Sequence, residues 1–221
     1  MAHIWKEEKY PDGSLKARVT LLGDRKTIVK EGWNPPQVNP LNPAAQQRGG
    51  QQAYKWNYVN GQKHGVQEGW WDNGQQRYKQ NIVNGQFHGV QEKWYPNGQQ
   101  HIKWNYVNGQ KHGLQEDWYR NGRQWYKENY ANGQFHGVQE AWFENGQQEY
   151  KQNYVNGQQH GVQESWNENG QQQDNKYYLD DVEVSQQTYQ SYIRGLAPGV
   201  QAAADFGERG LSGIIAGYLL P

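Results

Sequence analysis

The chain has no cysteine among its 221 residues, which excludes a disulfide framework and any cysteine-bound zinc or iron–sulfur site. Net charge is absent too, because 22 Lys and Arg balance 22 Asp and Glu. That balance argues against gripping nucleic acid or an anionic membrane by bulk electrostatics. Only 34% of residues are apolar, and no stretch approaches the roughly 20 apolar residues of a spanning helix. Met1 to Tyr10 carries charges where a signal peptide needs an apolar run, so export by that route is not expected. So few aliphatics would ordinarily mean disorder. The 11 Trp, 16 Tyr and 27 Gly contradict it, since a solvated linker has no use for so many rings.

A repeat explains them. His-Gly occurs at His64, His88, His112, His136 and His160, each 24 residues after the last. After it come Val or Leu, Gln, Glu and, two positions on, Trp70, Trp94, Trp118, Trp142 or Trp166. Asn-Gly follows at Asn73, Asn97, Asn121, Asn145 and Asn169, and again at Asn60, Asn84, Asn108, Asn132 and Asn156. Weaker copies extend the period to seven units, starting at His3, Thr27, His64, His88, His112, His136 and His160. The expected organisation is a degenerate N-terminal capping repeat (1–26) and a degenerate repeat with a Pro-rich insertion at 34–50 (27–63). Five repeats (64–183) and a C-terminal helix with an apolar tail (184–221) follow. Terminal copies of an array are commonly atypical.

Asn-Gly between alternating aromatics is a strong hairpin signal, because a type I′ turn needs positive φ at both central residues. Two such turns per unit predict an all-β, elongated, single-layer antiparallel meander of about fourteen strands. If Asn73-Gly74 is a turn, Glu68 faces Lys79, and Glu92/Lys103, Glu116/Lys127 and Glu140/Lys151 repeat the pair. Such pairs contribute roughly 0.2–1 kcal/mol each and pin the register. If Asn84-Gly85 is a turn, Asn81 faces His88.

Tyr106-Val107-Asn108-Gly109-Gln110-Lys111-His112-Gly113, followed by Trp118-Tyr119-Arg120-Asn121-Gly122, resembles the MORN repeat. It is closest to the longer variant found in YwqK-like antitoxin proteins and in arrays from giant DNA viruses. The resemblance covers about residues 3–183. It implies stacked hairpins used as a non-enzymatic interaction or assembly scaffold, in the cytoplasm or, for a viral protein, in the host cytoplasm or the virion. Two other readings stay open: an antitoxin-like protein that neutralises a toxin, and a carbohydrate- or choline-binding aromatic module.

The repeat also bears on chemistry. Equivalent histidines stand roughly 9–10 Å apart along a meander, too far to share an ion held by bonds of about 2 Å. Each is read as a turn residue bonded to the facing Asn. Acidification from about pH 7 to 5 is expected to charge the stripe and loosen the array. Glu68, Glu92, Glu116, Glu140 and Glu164 have repeating surroundings, whereas a catalytic carboxylate pair needs two unlike ones. No catalytic residue, metal site or cofactor is therefore expected. Trp70, Trp94, Trp118, Trp142 and Trp166 read as a stacked core supported by Tyr58, Tyr106, Tyr130 and Tyr154, or as a partly open face offering rings to a partner.

The breaks in the repeat draw notice as well. Pro35, Pro36, Pro40 and Pro43 cannot continue a ladder, so 34–50 must loop out. Ser185 to Leu196 reads as a helix with Tyr189, Tyr192 and Ile193 on one face, capping the open sheet edge. Ile214, Ile215 and Leu219 lie in the apolar tail, which is expected to dock on the array or on a neighbouring subunit. The candidate partner-binding set is the five Trp, Tyr189, Tyr192, Ile214, Ile215 and Leu219, with protein partners or neighbouring subunits expected. Nucleic acid, a spanned membrane and a small-molecule ligand are not.

Overall fold

The structure, a computed structural model, describes residues 2–24, 26–35 and 50–196. Residues 36–49 of the insertion and 197–221 of the tail, with Ile214, Ile215 and Leu219, lie outside the described residues. The chain divides into two units at Gly109/Gln110. The N-terminal unit holds β1 (His3–Lys9), β2 (Leu15–Leu21), β3 (Thr27–Trp33), β4 (Gln52–Val59), β5 (Gln62–Lys63), β6 (Gly65–Trp70), β7 (Gln76–Val83), β8 (Gln86–Trp94) and β9 (Gln100–Val107). The C-terminal unit holds β10 (Gln110–Lys111), β11 (Gly113–Trp118), β12 (Gln124–Ala131), β13 (Gln134–Trp142), β14 (Gln148–Val155), β15 (Gln158–Gln159), β16 (Gly161–Ser165), β17 (Lys176–Leu179) and β18 (Val182–Val184). One helix, α1 (Gln186–Gly195), follows. Each unit is an open antiparallel sheet of hairpins, and the all-β class read from the repeat holds.

The two Asn-Gly positions make different turns. Asn60, Asn84, Asn108, Asn132 and Asn156 have φ of 48–50° and precede glycines at 78–85°, the type I′ geometry. At Asn73 and its equivalents only the glycine is left-handed. Gly74 N–H donates to Trp71 O at 2.8 Å and Trp71 N–H to Gln75 O at 2.8 Å, a type I turn with a glycine bulge. The expectation of type I′ at both is corrected by this geometry. Asn73 Oδ1 accepts from Gln75 N–H at 3.1 Å, so the asparagine contributes through its side chain.

Register places the charges in file. Glu7, Arg18, Glu31, Lys55, Glu68, Lys79, Glu92 and Lys103 face one another in succession across the N-terminal unit. Glu116, Lys127, Glu140, Lys151 and Glu164 do so in the C-terminal unit. Head groups close up at Arg18–Glu7 (2.9 Å) and Lys55–Glu31 (3.9 Å). The ladder also rejoins across the Pro-rich break: Trp33 faces Gln52, and Asn34 N–H donates to Gln51 O at 2.8 Å.

The most buried large side chains are polar. Gln67, Gln91, Gln115 and Gln139 are only 1–2% exposed. The left-handed glycine after each histidine opens a bulge, and there the ladder loses a backbone partner. The Gln two residues beyond that glycine closes the gap. Gln91 Oε1 accepts from Asn81 N–H at 3.0 Å and its Nε2 donates to Asn81 O at 2.9 Å. Gln139 does the same to Asn129, at 2.9 Å both ways, and Gln67 and Gln163 to Asn57 and Asn153. A side-chain amide thus stands in for a peptide group, carrying the same donor and acceptor.

Helix α1 is capped by the Ser185 hydroxyl, which accepts from Thr188 N–H at 3.1 Å. Its Tyr189 ring lies 5.4 Å from that of Tyr177, and Tyr192 is edge-on to His160 at 5.9 Å. Tyr177 faces Val162 and Val184, so by strand alternation the helix lies on the face that carries the charges. It packs on the sheet near β17 rather than along the outer edge of β18, which corrects the expected edge cap.

Candidate interaction surface

Alternation gives every strand a ladder face, with the Glu and Lys, and a ring face opposite. On the ring face of the N-terminal unit Tyr54 stacks on Trp56 at 4.2 Å, and Trp56 Nε1 donates to Tyr78 Oη at 2.8 Å. Phe87 meets Tyr106 at 5.4 Å. Lys63 lies over Trp56 and Lys30 over Tyr58, each at 4.8 Å. In the C-terminal unit Tyr130, Phe135 and Tyr154 form a row at 4.8 and 5.1 Å, and Trp125, Tyr126 and Tyr150 another at 4.6 and 6.5 Å. Lys111 reaches both the Tyr130 ring (4.7 Å) and Glu128 (3.8 Å). Burial raises the Tyr150 hydroxyl, with Tyr126 and nearby carboxylates adding to it. Burial also raises Glu128, against the pull of Lys111 and Tyr130.

The candidate tryptophans sit elsewhere. Trp70, Trp94, Trp142 and Trp166 share the ladder face and are half-buried. Among the described residues none of these four stacks on another ring, so the expected Trp stack is not what packs the sheet. Trp118 is half-buried at the equivalent place. Tyr106, Tyr130 and Tyr154, read as its supports, instead carry the ring contacts. Tyr189 is 7% exposed and serves the fold, while Tyr192 is half-buried.

Both edges tie one repeat to the next. His64, His88 and His136 accept through Nδ1 from Asn84, Asn108 and Asn156 N–H at 3.4, 3.5 and 3.4 Å. At the other edge Trp71 Nε1 donates to Trp94 O at 3.0 Å and Tyr119 Oη to Trp142 O at 2.9 Å. The expected bond between a histidine ring and its facing Asn is therefore corrected. The Asn81 amide donates to the main-chain carbonyl of His88 at 2.9 Å, and the ring turns to the neighbouring repeat.

Acid acts on His101, which stacks on Tyr95 at 4.3 Å. Burial first, then Lys93, holds the His101 imidazole below its ordinary value. A folded value below the unfolded one means stability is complete above the ordinary imidazole range and falls as pH drops through it. We expect a lower melting temperature at about pH 5 than at pH 7, and His101→Gln should remove part of the difference, under about 1 kcal/mol. A melting temperature that does not move with pH would contradict this.

Among the described residues no three His, Asp or Glu converge as a metal site, and no helix is long and apolar enough to cross a membrane. The sequence reading passed over the glutamines. Their signal was present: Gln67 alternates with Glu68 and so falls on the ring face, and a Gln stands two residues after the His-Gly glycine in every clean copy. The family model of the MORN repeat variant matches residues 87–108 and 135–156. No curated protein matches the chain. Repeats of this family are non-catalytic modules that generally mediate protein or membrane interactions. Each matched stretch carries one buried Gln, one glycine-bulged turn and one type I′ asparagine, and these two stretches are copies of the MORN repeat variant.

Proposed function

We propose that the chain is a non-enzymatic scaffold that joins protein partners through the ring faces of its two sheets. One observation carries this reading. Among the described residues the aromatic rows are half-exposed, and no second layer of strands or helices covers them. Half-exposed rings with lysines laid over them suit a protein surface, where aromatics and cations concentrate binding energy. The finer reading is a structural component of a giant-virus particle. An antitoxin that neutralises a toxin, and a choline- or carbohydrate-binding module, are its competitors.

The test is affinity capture with the full chain, followed by reconstitution with each purified partner. Three altered chains accompany it: one with Lys30→Glu and Lys63→Glu, one lacking residues 34–50 and one lacking 197–221. The scaffold reading expects a stoichiometric protein complex that the double charge reversal weakens at least ~10-fold. Capsid-type partners support assembly, and a partner whose toxicity is blocked supports the antitoxin. Choline or a glycan quenching Trp fluorescence, with no protein complex formed, overturns the scaffold.

A further inference from the structure

The ring faces of the two units are built on one repeat pattern yet differ in charge. In the N-terminal unit Lys16, Lys30, Lys63, Arg77 and Lys93 stand on or beside this face, all exposed. Its carboxylate Glu8 is taken by Lys6 at 2.9 Å. Lys30, Lys63 and Arg77 lie over the rings of Tyr58, Trp56 and Trp71 at 4.8, 4.8 and 4.7 Å rather than against an acid.

The C-terminal unit reverses the sign at equivalent places. Arg77 and Glu149 occupy the same bulge position seven residues before the following Asn-Gly, and Lys93 and Asp117 the same position two residues after Gln. Glu128 lies in the row that Lys30 occupies in the N-terminal unit, beside the central glutamines. Asp117, Glu128 and Glu149 gather around Tyr126, whose hydroxyl is raised by burial first and then by Glu149, Glu128 and Asp117. Lys111 lies against Glu128 at 3.8 Å. A chain with no net charge has thus put a cationic aromatic face on one unit and a largely anionic aromatic face on the other.

We propose that the ring face of the N-terminal unit docks on the ring face of the C-terminal unit of a second copy of this chain. Lysines and Arg77 then meet carboxylates, while exposed rings on both sides leave water together. Opposite potentials steer such an encounter and fix its register, and the shared repeat spacing lets charge rows meet row by row. The molecule itself supplies what such a partner needs: complementary charge, equal strand spacing and aromatic surface. The inference rests on the scaffold reading in that it uses the same faces.

The experiment is sedimentation velocity on the purified full chain, at about 0.05 M and about 1 M salt, where screening differs most. Self-association at low salt that weakens at least ~10-fold at high salt is expected. Two variants follow: Arg77→Glu with Lys93→Glu, which cancels most of the positive charge of the N-terminal face, and Asp117→Lys with Glu149→Lys, which makes both faces basic. Each alone should be monomeric where the wild type associates, and an equimolar mixture should associate again. Recovery in the mixture also shows that both variants are folded; if either melts below the wild type, Arg77→Gln with Lys93→Gln reads the same loss without charge reversal. A monomeric wild type at low salt, variants that associate like the wild type, or a mixture of natively melting variants that stays monomeric overturns the proposal. Loss of self-association with foreign-partner capture intact counts against this inference alone, and the opposite result counts against the scaffold reading alone.

Discussion

Replacing Gln139 by leucine is expected to cost about 2–4 kcal/mol, although leucine is the better core residue by hydrophobicity. The side chain is 2% exposed. Its amide supplies the Asn129 N–H with an acceptor and the Asn129 C=O with a donor, and it donates again to Gly137 O at 3.2 Å. Leucine fills the volume but leaves a buried N–H without a partner and a C=O under-supplied. Each such group costs about 1–3 kcal/mol, because its hydration is lost and nothing replaces it. Urea denaturation should show the midpoint fall with little change in slope. Gln158→Leu, at the exposed first residue of β15, provides the control and should change stability by no more than about 0.5 kcal/mol. If the two variants fall equally, the peptide-mimic role is wrong. Gln91→Leu in the N-terminal unit should add to Gln139→Leu, since separated sites with no shared partner combine independently.

Tyr189→Ala is expected to release α1 while leaving the sheets folded. Tyr189 is the buried residue of the helix, at 7% exposure, with its ring against Tyr177. Truncating a buried aromatic costs about 3–5 kcal/mol, which exceeds what a helix of ten residues can recover alone. Isolated helices shorter than about 12–15 residues are marginal in water. The Ser185 cap contributes only about 1 kcal/mol. Amide hydrogen exchange should therefore become fast across residues 188–196 and stay slow in β14. Tyr189→Phe keeps the ring contact and should keep the helix protected. Slow exchange in α1 of the alanine variant would show that some other contact holds it.

Much of this fold was legible because a repeat shows each constraint several times over. The 24-residue spacing located the turns, and turn spacing alone put Glu68 opposite Lys79. What stayed hidden depends on geometry inside the turns and bulges. Asn73-Gly74 and Asn84-Gly85 are the same dipeptide, yet only the second has a left-handed Asn. Loop length decides between them, and sequence around a hairpin end leaves that length open by a residue. The one-residue bulge at Arg77 then separates the rows that follow. The tryptophans, two residues from the ladder Glu on their own strand, ended on the ladder face by simple alternation, opposite the packed rings. The glutamines were missed for another reason. Residue type argues that Gln is outside, and only the main-chain gap opened by the preceding glycine turns a polar amide into a core group.

The bonds that run from edge to edge of successive repeats have an evolutionary consequence. Asn84 N–H meets the His64 ring, Asn108 N–H the His88 ring, and Asn145 Nδ2 the Glu168 carbonyl at 2.8 Å. Excising one whole copy would present each donor with a chemically identical acceptor from the next copy along, and duplicating one would do the same. Unequal recombination between copies is thereby tolerated by the protein. Copy number becomes a heritable trait that selection can adjust in whole steps, each displacing what lies beyond it by roughly two strand spacings, or about 9–10 Å.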